Sequence, residues 1–449
     1  MHGKLIIPRL KSGDRFAYYL IVLLGLICVL NLNAMSSKYL GLEQFFSPII
    51  LLLCVIGFFA SGKNPIGKIG FFGRWWVSGY CIYMAIGILS GVMNDRFFTA
   101  LVEIINFSAA VAIAVATMLL SQRMIRGGQV DRLYKFAFWL SIASASTFYV
   151  SYFLGFNAAV QEGAIRSGRF SGFFANPNEL GLQTQLSTAF GFCLAARTLN
   201  IKYLVITLLT CGPAVLATNS RSSMLALGFI TCILIFFVFP PKYIFRMGLA
   251  FAVVGTVGLF AFSYLQNVAQ GDNRYQKKRT RQMFKLLSGD VSGDTTGHRY
   301  VLALEAFNLW KKRPIIGWGL GFSNSMPKSK LAPHNAILKL LVDSGLVGAA
   351  ILAIFWVIYF VNMLKAKPRW LKVGLLGMFL AISFSLVSGH TGISRRYTVF
   401  QLAILIATFE TVSQRILTSG NQSKVQYITW IRPNIGQQQQ THPGGFLHQ

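Results

Sequence analysis

The chain has 449 residues, of which 54% are hydrophobic and only 12% charged, and its mean hydropathy is +0.54. A soluble domain of this length has no core large enough to absorb that much apolar surface, so the composition indicates a polytopic membrane protein. The formal charge of +29 invites a nucleic-acid reading. However, the basic residues fall mostly in short runs between apolar segments, as cytoplasmic loops do under the positive-inside rule, so no nucleic-acid partner is expected. Cys28, Cys54, Cys81, Cys193, Cys211 and Cys232 all lie inside apolar segments without a CxxC pair. That usage suggests neither a disulfide framework nor a zinc site.

In chain order, Lys4, Arg9, Lys11 and Arg15 precede a first expected span near 16–33. A second, near 45–60, follows at once with no small-residue cleavage site between them, which reads as a retained signal anchor. Lys63, Lys68 and Arg74 put the next loop in the cytoplasm, and spans near 75–93 and 97–120 follow, joined by Asn94-Asp95-Arg96. Arg123, Arg126, Arg132 and Lys135 mark the cytoplasm again, and a fifth span near 136–156 leads to an external loop with Arg166 and Arg169. Spans near 179–196, 203–218, 224–239 and 244–264 then deliver the chain to 266–333, the long polar interval between apolar segments.

That interval holds twelve Lys and Arg against four Asp and Glu. Its basic character does not forbid an external location, because segments longer than about 60 residues translocate largely regardless of charge. Spans near 346–364, 371–388 and 398–417 complete an all-α integral membrane fold of about twelve helices with both termini cytoplasmic. The expected organisation is helices one to nine in 1–265, a large periplasmic loop in 266–333, three helices in 334–417, and a disordered cytoplasmic tail in 418–449.

Within the loop, Val301, Leu304, Phe307 and Trp310 recur at helical spacing up to Pro314, which predicts an amphipathic helix lying on the membrane or against the bundle. Gly317, Gly319 and Gly321 have the wrong spacing for a dinucleotide fingerprint and predict a tight backbone turn. Asn335, Lys339 and Asp343 form a polar stripe on the helix that follows. Glu103, Asn106, Glu179, Arg221, Arg299, His334, Asp343, His390, Arg395 and Arg396 all map near the external boundary, where ionisable groups face a cavity or a partner. Each also has a plain alternative: arginines at span ends snorkel, a His beside Pro and Asn opens a helix, and Glu179 and Asp343 can pair with neighbouring cations, Lys339 for the latter. The run 277–285 reads as a surface for anionic lipid or glycan.

Five motifs in order then resemble the O-antigen ligase and polymerase superfamily over most of the chain except the tail. They are Arg169-Phe170-Ser171-Gly172 through Asn176-Pro177-Asn178-Glu179, the Thr218-Asn219-Ser220-Arg221 turn, Gly297-His298-Arg299, Pro314 through Gly319, and Pro333-His334-Asn335 with Gly345 and Gly348 downstream. The basic loop is the departure from the family pattern. The resemblance implies a polytopic, GT-C-like glycosyltransferase of the bacterial inner membrane that needs no cofactor or metal. Its expected partners are membrane lipid, an undecaprenyl-diphosphate-linked glycan donor, and a lipid A-core or glycan acceptor at the periplasmic face. By the same resemblance His334 is the catalytic base, Arg221 and Arg299 hold the diphosphate, and Arg169, Asn176, Asn178, Asn335 and His390 complete the substrate site.

The chemistry of these residue types agrees. A glycosyl diphosphate is already activated, so the protein must stabilise a dispersed negative charge and deprotonate a hydroxyl. Arginine suits the first task through its planar fork, and neutral histidine suits the second. The loop carries no DxD pair for a metal. A polysaccharide polymerase fits the same residues, whereas a transporter, with internal repeats and a midplane site, fits them less well.

Overall fold

The computed structural model describes residues 12–40, 46–62, 64–154, 169–238, 299–389 and 394–418, with a few isolated positions between 245 and 281. The ninth expected span as a continuous element, the basic run 277–285, His390 and the tail beyond 418 lie outside the described residues. Among the described residues all regular structure is helical. The helices are α1 (Ser12–Val29), α2 (Leu32–Leu40), α3 (Phe46–Ala60), α4 (Pro65–Lys68), α5 (Phe71–Met93), α6 (Phe97–Arg126) and α7 (Val130–Leu154). They continue with α8 (Pro177–Thr198), α9 (Lys202–Ala217), α10 (Arg221–Val238), α11 (Arg299–Lys312), α12 (Ala336–Lys365), α13 (Arg369–Ser388) and α14 (Arg396–Thr418). A 3-10 turn occupies Phe322–Ser325.

Seven of these, α1, α5, α6, α7, α10, α12 and α13, are long and apolar enough to cross a membrane, and α3 and α9 are apolar but shorter. The helices α8 and α14 also stand where the sequence predicts spans, yet neither is among the seven. Their buried faces carry polar groups: Gln183, Thr184, Gln185 and Ser187 on α8, Gln401 and Glu410 on α14. Almost all of α8 from Leu180 to Ala195 is buried, which makes it the axis of the bundle. Its polar groups link neighbouring helices. Gln401 Nε2 donates to Gln183 Oε1 at 3.0 Å, and Ser187 Oγ donates to the Ser141 carbonyl at 2.9 Å.

The bundle has two polar ends. At one, the Glu410 carboxylate accepts from the Gly70 and Gly73 amides at 2.9 and 2.7 Å and from Gln122 at 3.1 Å, capping the start of α5. Arg123 pairs with Asp14 and Arg197 with Asp131 at the same end. The other end gathers the starts of α6, α8, α10, α12 and α14 with the segment 299–335.

Although α12 has the outline of one helix, it is broken at Gly345, where φ is 64° and ψ is −158°. The break frees the amides of Leu346 and Val347, which donate to the Pro314 and Ile315 carbonyls at 2.8 and 3.1 Å. It also frees the Val342 and Asp343 carbonyls, which accept from the Trp318 and Gly319 amides at 2.9 Å each. The turn 314–319 is therefore a backbone splint for the break, and 336–344 is a separate half-helix. A β-carbon on Gly317 would stand 2.6 Å from the Asp343 carbonyl carbon, and one on Gly319 2.7 Å from Gly91 Cα. The glycine series thus forms the tight turn its spacing predicts, with the broken helix as its partner.

The expected amphipathic helix is present as α11, but its apolar residues divide between two faces. Leu302 and Ala306 are buried with Phe322, Met326 and Val342, and Leu309, Trp310 and Trp318 pack against them. Val301, Leu304 and Phe307 are exposed. Trp318 Nε1 donates to the Leu309 carbonyl at 2.9 Å and so clasps α11 to the splint.

Gly345→Ala and Gly317→Ala should each lower stability by about 1–3 kcal/mol, the cost of holding a β-carbon in a left-handed conformation with no room around it. Gly228→Ala, where a β-carbon meets nothing within 4 Å, is the control. Thermal unfolding in detergent checks this, and equal midpoints for all three variants would contradict the splint.

Candidate active site

His334 follows Pro333 and stands at the head of the half-helix. Asn335 is the cap: its Oδ1 accepts from the Ile337 and Leu338 amides at 2.9 and 3.0 Å. The imidazole is half-buried, with Nδ1 inside. Burial, and then the positive charge of nearby Arg299, hold the His334 pKa below its ordinary value. Both causes disfavour the imidazolium and favour the neutral ring, which has a proton-accepting nitrogen. Arg299 opens α11, and the clasp of α11 onto the half-helix is what brings it near His334.

The polar stripe continues inward as a closed network. Lys339 Nζ lies 3.3 Å from Asp343 Oδ2 and donates to Ser323 Oγ at 3.2 Å and to Asn324 Oδ1. The Ser323 amide donates to Asp343 Oδ1 at 2.8 Å, and Asn324 Nδ2 donates to Glu103 Oε1 at 2.5 Å. Pairing of Asp343 with Lys339 is the outcome their spacing anticipates.

A second group is built around the starts of α8, α10 and α14. Arg169 Nε donates to the Thr218 carbonyl at 2.8 Å and its Nη2 to Asn178 Oδ1 at 3.1 Å, while the Phe170 amide donates to the Ala217 carbonyl at 3.0 Å. These bonds fasten the segment before α8 to the turn that presents Arg221. Asn176 caps α8, accepting from the Glu179 amide at 3.1 Å and donating to Glu179 Oε1 at 3.0 Å. Glu179 also forms an ion pair with Arg395. Arg221 is half-buried as the first residue of α10. Asn176, and Arg169 with Asn178, are thus bonded within the protein.

An open groove lies beside the first group. Ala336 and Lys339 line it on the half-helix side, and Ser394, next to Arg395, lines it on the other. Its walls are apolar, with Trp76, Tyr80, Tyr83, Phe107, Ile351 and Phe355 among them. Sequence reasoning missed Ser323, Asn324, Ser394 and these aromatics. The spacing of Trp76, Tyr80 and Tyr83 by four and then three residues is a helical stripe that could have found the wall. His390 lies outside the described residues.

Described residues whose regular structure is helical, with seven membrane-length helices among them and a polar cluster at one end of the bundle, are of the multi-pass membrane class. Residues 206–353 match the family model described as O-antigen ligase, so this segment carries the signature of the O-antigen ligase superfamily. The match begins in α9, ends in α12, and takes in Arg221, Arg299, His334 and Asn335. It implies, in general terms, a ligase- or polymerase-type membrane glycosyltransferase. A comparison with curated proteins gave no match.

Carbethoxylation by diethyl pyrocarbonate requires neutral imidazole, so the rate at His334, followed by peptide mass spectrometry, reports its titration. The midpoint should fall below about 6.5, the unperturbed value, and rise in Arg299→Gln as one depressing charge is removed. A wild-type midpoint above the unperturbed value would contradict the site's electrostatics.

Proposed function

We propose that the chain is a glycosyltransferase that moves a glycan from an undecaprenyl-diphosphate carrier to an acceptor hydroxyl at the periplasmic face, as in ligation of O-antigen to lipid A-core. The observation that carries this reading is a half-buried His334 under the charge of Arg299, two residues before Ala336, which lines an apolar groove. A donor with an isoprenoid chain and a diphosphate head needs that pairing of apolar wall and cation.

In the proposed step, His334 Nε2 accepts the acceptor's hydroxyl proton as the hydroxyl oxygen bonds to the anomeric carbon. The bond from that carbon to the diphosphate oxygen breaks, and the carrier diphosphate leaves with its charge on Arg221 and Arg299. Direct attack inverts the anomeric centre. No step calls on a metal or a nucleotide. Arg169, held by Asn178, fastens the Arg221 turn, Asn176 caps α8, and Asn335 caps the half-helix that His334 precedes. His390, if it reaches the site, contacts substrate. The exposed Val301, Leu304 and Phe307 face of α11 suits the membrane surface.

With a purified polyprenyl-diphosphate donor and an acceptor, His334→Ala should lose roughly 10²–10⁴-fold in turnover, since that is the worth of a positioned base. His390→Ala should lose much less, and wild-type activity should survive EDTA. Full activity of His334→Ala would end the base assignment. Arg221→Lys and Arg299→Lys keep charge but lose the fork, so each should slow transfer at least about tenfold, the equivalent of one charge-assisted bond. Near-normal rates in both would count against the clamp.

Location and acceptor are tested in cells. Cysteines placed in 270–285 should react with a membrane-impermeant thiol reagent from the periplasmic side, and one at Arg126 should not; the reverse pattern would overturn the orientation. A deletion strain that accumulates carrier-linked polymer not joined to lipid A marks a ligase, whereas one limited to single repeat units marks a polymerase.

A further inference from the structure

The buried network beneath His334 has no part in the proposed step, yet it joins the elements that meet at the site. The half-helix 336–344 does not inherit its direction from the membrane span, because the chain is broken at Gly345. Its orientation has to be fixed from the side. Lys339 lies one turn below Asn335, whose carbonyl accepts from the Lys339 amide at 3.0 Å, and Asp343 lies one turn below that.

We propose that Lys339 and Asp343 are positioning residues for His334, locking the half-helix to the 3-10 turn Phe322–Ser325 and to the start of α6. The proposal rests on the reading of His334 as the base. Lys339 Nζ donates to Ser323 Oγ and Asn324 Oδ1 and lies 3.3 Å from Asp343 Oδ2 as an ion pair. Held by these three groups, the cation is a bolt and not a substrate contact, although Lys339 lines the groove. Asp343 is 1% exposed and divides its oxygens between Lys339 and the Ser323 amide. Asn324 passes the connection to Glu103 on α6. A buried ion pair adds little net stability over an apolar pair of the same volume. What the two residues supply is direction: the bonds of Lys339 to Ser323 and Asn324, and of Asp343 to the Ser323 amide, are made only when the half-helix lies at one angle.

The test compares full-length Lys339→Gln, Asp343→Asn, the double variant and Asn324→Ala with wild type and His334→Ala. All are assayed for transfer from a polyprenyl-diphosphate donor, and all but His334→Ala for the pH midpoint of His334 carbethoxylation. Each single change at Lys339 or Asp343 strands a buried charge and should lower kcat about tenfold to a hundredfold, the range a misplacement of about 1 Å produces. KM for the donor should hold. In the same variants the carbethoxylation midpoint should rise toward that of exposed imidazole as the ring leaves its buried place. The double variant keeps hydrogen-bonding amides without charge and should recover most of the kcat and of the midpoint.

Asn324 is exposed, so Asn324→Ala guards against a folding failure and should move both readouts in the same direction by less. A raised donor KM with unchanged kcat would make Lys339 a substrate contact and overturn the proposal, as would a double variant no better than its worse parent. An unmoved carbethoxylation midpoint in every variant would also overturn it. Because that midpoint does not depend on turnover, full activity in His334→Ala would refute the base reading separately.

Discussion

The break in α12 at Gly345 is the constraint on which the rest of this end of the molecule depends. A helix interrupted beside a membrane leaves backbone donors and acceptors that lipid cannot satisfy. Here the turn 314–319 meets both sets, two amides and two carbonyls. That requirement fixes where the turn runs, why it carries glycines at 317 and 319, and why it lies against the end of α5, where Ser90 Oγ donates to the Gly317 carbonyl at 2.9 Å. The segment from α11 to α12 is therefore held by backbone bonds at its N-terminal end. His334 and Arg299 inherit their places from it.

The polar residues of the bundle sort by what surrounds them. In the interior, Gln183, Ser187 and Gln401 bond helix to helix and carry no net charge. Charged groups lie towards the two ends, and most are matched: Glu410 against helix amides, Asp131 against Arg197, Glu179 against Arg395, Asp343 against Lys339. Desolvation enforces this pattern, since an uncompensated ion in such surroundings is costly. Against that background His334 lowers the cost by favouring its neutral form.

Much of this was legible in the sequence because it is local. Pro333-His334-Asn335 reads as a helix start, and the structure uses Asn335 as the cap. The four-residue spacing of Lys339 and Asp343 predicts their pair, and the glycine spacing predicts a turn. What the turn packs against was not legible, because the partners of Pro314 and Trp318 lie about thirty residues downstream and are backbone atoms, which carry no sequence signal. The helical period of Val301, Leu304, Phe307 and Trp310 predicted α11 but not which face it buries. That choice falls to Leu302, Ala306 and Leu309, small and branched enough to meet Trp318 and Phe322. The polarity of α8 and α14 finds part of its match only in the fold, where Gln401 of one donates to Gln183 of the other, 218 residues away in sequence.

On the proposed reading, the electrostatics of the site also couple its two tasks. With no anion present, Arg299 disfavours the imidazolium and His334 is a weak base. A diphosphate bound by Arg299 offsets that positive charge, and the proximity of the anion favours the protonated ring, so the pKa of His334 rises as the donor arrives. The base is then strongest when there is a leaving group to match it and weakest when only water could be deprotonated. This follows from placing one arginine within reach of both groups, and the clasp of α11 onto the half-helix is the feature that does so.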